Sequence, residues 1–212
     1  GVTLLPRLVA QYVKEQPDAR VHLDAGYEPE LVQKLKDGEL DFAILENQPL
    51  EPGIVTEVLG YKKLVFLAPD KAPYNQMPGP VPIDTLLKWP MIVYEWHSGR
   101  HMVGNRHFRE RYGLSLRDHN MVGCFDTHEA MIEGVKAGLG WATLPECIAS
   151  RYRNEPGIIR FKVATDTMWY PVSLTWPSSC SPSDEARDFA NFVRENIPEG
   201  YFANSTEAQP RS

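Results

Sequence analysis

Hydrophobic residues recur along this chain first at helical spacing and then in short unbroken runs, and the two patterns alternate. Leu4, Leu5, Leu8, Val9, Tyr12 and Val13 stand mostly three and four apart. That predicts a helix ending near Glu15, ahead of Pro17, with Pro6 accommodated in its first turn. "ARVHLDAGY" alternates Val21 and Leu23 with polar neighbours and is expected to form a short strand. A second helix is predicted from Pro29 to Lys36, with Leu31, Val32 and Leu35 on one face and Gly38 in the place of a left-handed cap. "FAIL", Phe42 to Leu45, has the continuous apolarity of a strand buried on both faces. Helix and strand alternating at this spacing predict a parallel α/β sheet.

The next segments read as two short strands, "VTEVL" and "KLVFLAP", and a loop from Asp70 to Pro82 that holds four prolines. "MIVY" (Met91 to Tyr94) is a buried strand, a helix is expected over Met102 to Tyr112, and "MVGCF" (Met121 to Phe125) is a further strand. A helix should start near Thr127, which can act as N-cap with Glu129 and Glu133 in the early turns. "EAMIEGVKAGLGWATLP" then repeats the plan of "ELVQKLKDGELDFAIL": amphipathic helix, Lys-x-Gly, short turn, apolar strand. The repeat argues for two similar α/β lobes rather than one continuous sheet. A strand "PVSLTW" and a helix near Ser183 to Asn196, with Phe189, Phe192 and Val193 inward, complete the pattern. The polar tail after Pro198 is expected to be disordered.

Composition narrows the function classes. The chain has 212 residues, 42% hydrophobic and 24% charged, ordinary for a soluble globular protein with room for substantial cores. Its apolar runs are too short to span a bilayer and no signal-peptide pattern is visible, so the cytoplasm is the expected compartment. The net charge of −6 and the lack of a long Lys/Arg run make this chain by itself a poor nucleic-acid binder. Cys124, Cys147 and Cys180 are widely spaced and odd in number, which favours reduced thiols over a disulfide framework.

No catalytic constellation emerges from the residue types. His97 and His101 are spaced i, i+4, with His107 beyond, but no HExxH pattern accompanies them and His128-Glu129 has Ile132 where a second histidine would stand. A metal site needs three or four converging ligands, so no metal is expected. There is no GxSxG elbow. Cys124 has His128 one helical turn away, and a buried small thiol is the favoured reading of it. The glycines of "GVKAGLG" end a helix instead of opening one, which is not a dinucleotide fingerprint. No catalytic residue and no cofactor are predicted.

Position carries more information. In open parallel sheets, ligands bind beyond the carboxyl ends of the strands. The residues there are Asp24-Ala25-Gly26-Tyr27, Glu46-Asn47, Glu95-Trp96-His97-Ser98 and Asp126-Thr127, a mixture of aromatics, hydroxyls and amides that suits a small-molecule pocket. Ser98 and Thr127 also stand at helix starts, where backbone N–H groups can hold an anion. The ligand's charge stays open. Tyr27, Trp96 and Phe125 suit a planar body and Arg100 a carboxylate, whereas Glu46, Glu95 and Asp126 suit an amine.

Taken in order, "LLPRLVAQYVKEQPDARVHLDAG", "ELVQKLKDGELDFAIL" and "EAMIEGVKAGLGWATLP" resemble the effector-binding domain of LysR-type transcriptional regulators, over nearly the whole chain to about Ile197. The resemblance implies a fold like the type 2 periplasmic binding proteins: two hinge-linked α/β lobes around a cleft for a small inducer. Lobe I would comprise residues 1–60 plus 168–212, and lobe II residues 61–167. It also implies a homodimer, a tetramer in the full-length regulator, and DNA contact only through a winged-helix domain outside this chain. Matched residue by residue, the effector-contacting loops are Tyr27, Glu28, Glu46, Asn47, Trp96, His97, Ser98, Phe125 and Thr127. Thr3 is the remnant candidate of a first contact loop, because the family's central strand and DNA-binding domain are expected upstream of Gly1. "YEWHSGR" departs from the family, placing bulky Trp96 and His97 where small polar residues are common. A solute-binding protein of a transport system shares the fold and is the alternative; an enzyme on the same fold ranks third.

Overall fold

The computed structural model describes residues 4–95, 98–115, 120–165, 167–179 and 182–208, with the side chains of Arg100 and Glu207 outside that description. The chain divides into two compact units. One holds the residues up to Tyr61 together with Pro171–Ala208, and the other holds Lys62–Tyr170.

In the first unit the predicted helices form where their apolar spacing requires. Helix α1 (Leu5–Glu15), with its proline in the first turn, buries Leu8 and Tyr12 against α7 (Asp184–Glu195). The Tyr12 ring lies 4.8 Å from that of Phe189 and 5.1 Å from that of Phe192. Ser183 caps α7 by accepting the Ala186 N–H at 3.1 Å, a contact type that stabilises a helix by about 1 kcal/mol. Helix α2 (Glu28–Lys36) lays Val32 and Leu35 on Ala43 and Leu45 of strand β1 (Ala43–Leu45).

Two expectations change here. Strand β1 pairs antiparallel with β7 (Trp169–Pro177), Ala43 opposite Thr175 and Leu45 opposite Ser173, so the purely parallel sheet is not what forms. The strand expected at Val21 to Leu23 is absent: the residues from Arg20 to Tyr27 have no regular structure, and Leu23 is 43% exposed. Alternation marks two faces, but a strand also needs an edge to pair with, and no described strand pairs with this segment. An Asp24–Lys34 ion pair ties it to α2 instead.

The second unit is a curled, mixed arrangement. Strand β2 (Ile54–Pro69) is one continuous strand where two were expected. Its later half pairs antiparallel with β5 (Ala142–Pro145) and β6 (Ile158–Phe161). Strands β3 (Met91–Tyr94) and β4 (Met121–Phe125) are parallel, and a parallel bridge joins Met91 to Trp141. Helix α5 (His128–Lys136) covers this layer with Met131, Ile132 and Val135, packed with Ile92, Val65, Leu67, Ala142 and Leu144. Trp141 is fully buried and donates its indole N–H to the Leu86 carbonyl at 3.1 Å, satisfying the one polar atom that burial would penalise. Short helices α3 (Ile83–Leu86) and α6 (Glu146–Ala149) and the longer α4 (Gly99–Tyr112) complete the unit.

The internal repeat is real in backbone terms. Gly38 after α2 and Gly138 after α5 both adopt positive φ, +74° and +84°. In both cases the glycine and the next residue donate to carbonyls of the helix's last turn: Gly38 to Leu35 and Glu39 to Lys34, Gly138 to Val135 and Leu139 to Gly134. The same left-handed stop thus turns each helix into the strand that follows.

Beyond Pro198 the polar composition suggested disorder, yet the chain packs back: Ala203 and Tyr61 exchange both backbone hydrogen bonds. A short helix α8 (Ser205–Ala208) follows.

Candidate functional site

The candidate residues fall into two groups, one in each unit. In the first unit, Tyr27 is the residue before α2, extended in backbone and partly exposed. Glu28 opens the helix and is half-buried. Two residues past the end of β1, Asn47 is only 5% exposed and donates its side-chain amide to Glu28 Oε1 at 3.1 Å. The contact joins the strand end to the helix start across 19 residues of sequence. Glu46 lies beside it, half-buried.

In the second unit, β3 and β4 run parallel with Tyr94 opposite Phe125, and the Glu95 N–H continues the pairing to the Phe125 carbonyl at 2.9 Å. Each strand then feeds a helix. Ser98 N–H bonds to the Glu95 carbonyl at 3.1 Å, and Ser98 Oγ caps α4 by accepting the His101 N–H at 3.1 Å. Thr127 Oγ1 caps α5 by accepting the Ala130 N–H, also at 3.1 Å. Two capped helix starts therefore sit at the carboxyl ends of adjacent parallel strands, the geometry in which α/β folds present amides and hydroxyls to ligands. Phe125 directs its ring inward: a Cβ on Gly123 would meet it at 2.9 Å and one on Gly134 at 3.4 Å, so this residue is part of the packing under α5. Thr3, Trp96 and His97 lie outside the described residues, as does the side chain of Arg100.

Two residues at this strand end escaped the sequence reading. Tyr94 and His128 stack, ring centroids 5.2 Å apart and planes 27° from parallel, adding an aromatic surface beside Glu95 and Thr127. The signal was position: Tyr94 is the last residue of its strand and His128 the first of its helix.

The remaining candidates resolve differently. His101 is buried and lines a small cavity of about 30 Å³ with Met91, Phe108, Trp141 and Met168. His107 Nε2 lies 3.2 Å from Thr165 Oγ1, which also accepts from the Tyr112 hydroxyl at 2.5 Å. Among the described residues no three His, Cys, Asp or Glu side chains converge as metal ligands. Cys124, expected to be buried, is exposed together with Val122 on the outer face of β4. Period-2 alternation turns Met121, Gly123 and Phe125 inward and leaves the even-numbered positions outside. Cys147 is also exposed, and Cys180 lies outside the described residues. No described helix is long and apolar enough to cross a membrane.

Comparison with known proteins agrees with this architecture. Structures of similar fold include the effector-binding domain of QuiR in complex with shikimate (TM-score 0.76, 17% identity, 92% of this chain and 90% of that one). Another is the Synechocystis PCC6803 CcmR regulatory domain in complex with 2-PG (TM-score 0.75, 16% identity, 92% of each chain). The fold is thus that of LysR-family effector-binding domains, α/β and type 2 periplasmic-binding-protein-like. Among curated proteins, the HTH-type transcriptional regulator CzcR of Bacillus subtilis is 27% identical over 149 residues, covering 68% of this chain and 46% of the relative. The chain spans about half the length of the curated relatives named HTH-type transcriptional regulators that it matches. The sequence model described as LysR substrate binding domain matches residues 1–198, and the chain belongs to that family.

Proposed function

We propose that this chain is the effector-sensing module of a LysR-type transcriptional regulator, acting in the cytoplasm as part of a longer, self-associating protein that reaches DNA through a separate domain. The observation that carries the reading is the family match over residues 1–198, and the curated relatives, HTH-type regulators, favour it over transport. The contact residues we assign are Tyr27, Glu28, Glu46 and Asn47 in the first unit, and Ser98 and Thr127 in the second. Trp96 and His97, next to Ser98 in sequence, are retained from the family pattern, and Arg100 is retained as a candidate partner for a carboxylate. Thr3 is retained from the family pattern, and Phe125 supports the strand end from beneath.

Physically, sensing is a population shift: the effector acts only through unequal affinity for two arrangements of the protein. Relatives of this fold have been solved with shikimate and with 2-PG, and the helix starts capped by Ser98 and Thr127 suit an anionic group on such a molecule. Thermal-shift measurements against shikimate, 2-PG and panels of organic acids and amines test the reading. A true effector stabilises by about 2.7 kcal/mol at a hundredfold excess over Kd, a rise of roughly 5–10 °C for a chain of this size. Failure of every compound class to raise Tm saturably would remove the reading.

A further inference from the structure

The segment after Pro198 lies beyond the span matched by the family model, yet it is docked at one particular place. Tyr201 N–H bonds back to the Pro198 carbonyl at 3.0 Å. The Tyr201 and Phe202 rings meet edge to face with centroids 4.9 Å apart, and both side chains pack against the α1–α7 core of the first unit. Ala203 then pairs with Tyr61, its N–H to the Tyr61 carbonyl at 2.9 Å and the Tyr61 N–H to its own carbonyl at 3.0 Å. Tyr61 is the last residue of the first unit before β2 enters the second at Lys62.

Gly60 makes this docking possible. Its φ is +155°, and a Cβ there would stand 2.4 Å from Phe202 Cβ, 2.9 Å from Phe202 Cγ and 3.2 Å from the Ala203 carbonyl oxygen. No side chain fits that space. The contact is nevertheless shallow, because a groove of about 380 Å³ lined by Val58–Tyr61 and Phe202–Ser205 runs alongside it. An edge pair of two backbone bonds, anchored by two half-buried rings at the end of the chain and beside an open groove, is the kind of element that opens locally before the core does.

We propose that residues 199–208 form a strap that restrains β2 where it leaves the first unit, and so limits how freely the two units rearrange. Among the described residues the chain passes between the units only twice, at Tyr61–Lys62 in β2 and at Tyr170–Pro171 in β7. Fixing the backbone at one passage removes freedom from a hinge of which it is half, and hinge positions are the few residues that absorb such motion. The inference is independent of what the protein binds.

Hydrogen exchange on the whole chain tests it, comparing the wild type with a form ended after Pro198 and with Gly60→Ala, which keeps the strap but blocks its seat. The strap account expects exchange at Lys62, Lys63 and the Trp169–Val172 segment to accelerate about tenfold or more in both variants. Amides of Val135 and Leu144, in the core of the second unit, should stay within about twofold of wild type. Acceleration confined to Tyr61 would reduce the strap to a local contact. Equal acceleration at all sites would mean that it contributes only global stability. Either result overturns the proposal.

Discussion

Asn47, buried just past the end of β1, donates its side-chain amide to the Glu28 carboxylate that opens α2. A strand end and a helix start are thereby held together at the effector contact proposed for the first unit. Removing a buried hydrogen-bonding partner costs about 1–3 kcal/mol, because the remaining group keeps its desolvation penalty. Asn47→Ala is therefore expected to lower stability by about that amount in urea denaturation. If Glu28 contacts effector, the same variant weakens binding by roughly tenfold or more in calorimetry, beyond what its stability loss explains.

The caps at the second unit's strand ends should behave as independent contributions. Ser98→Ala and Thr127→Ala each remove one N-cap acceptor, so each should cost about 1 kcal/mol. Because they cap different helices and share no hydrogen-bond partner, the double variant is expected to be additive within about 0.5 kcal/mol. Denaturant midpoints at constant m read all three values.

Two glycine-to-alanine changes should move stability in opposite directions. At Gly140 a Cβ would stand 2.2 Å from the Pro90 carbonyl oxygen, so the turn into β5 must shift and β3 with it. Gly140→Ala is expected to cost about 3 kcal/mol or more, in line with overpacking against backbone. Gly104 lies inside α4 with only Met168 Cε in reach, 3.9 Å from the added methyl. Gly104→Ala is expected to stabilise by about 0.5–1 kcal/mol through helix propensity and reduced unfolded-chain entropy. Tm differences by calorimetry decide both.

A pH dependence follows from the Asp24–Lys34 pair. The hydrogen bond from Lys34 holds the Asp24 carboxyl below its ordinary range, and the same bond raises the Lys34 ammonium. Asp24, with its folded value depressed, contributes stability that is present above the ordinary value near 3.9 and is lost as pH falls through the folded value. Lys34, with its folded value raised, contributes stability that is present below about 10.4 and lost as pH rises past its folded value. Asp24→Asn should therefore lower Tm between about pH 5 and pH 9, and match wild type in strong acid and strong base. Both groups are exposed, so added salt should shrink the difference.

Much of the fold was legible because its signals are local. The left-handed stop at Gly38, the helix end at Gly138 and the Thr127 N-cap depend on neighbours within about one helical turn and form as read, and the helix expected near Ser183 starts with that serine as its cap. The strand at Val21 to Leu23 was misread because alternation reports faces but not a pairing partner. The expected strands "VTEVL" and "KLVFLAP" are one long strand, in which Gly60 is a close-approach position. Cys124 was expected inside because its strand is apolar, although odd positions face inward and even ones outward. At the candidate site, strand-end position pointed to Asn47, but its bond to Glu28 spans 19 residues and no local pattern announces it. The Tyr94–His128 stack is likewise a product of parallel pairing between β3 and β4.

The most direct test of the central claim is an amide-resolved NMR titration of this chain with a compound that raises its Tm saturably. If the strand-end loops hold the effector, the largest shift changes will gather at Tyr27, Glu28, Glu46 and Asn47 and at Ser98 and Thr127. Half-saturation at these amides should match the calorimetric Kd. Saturable shifts confined to residues away from these strand ends would contradict the account.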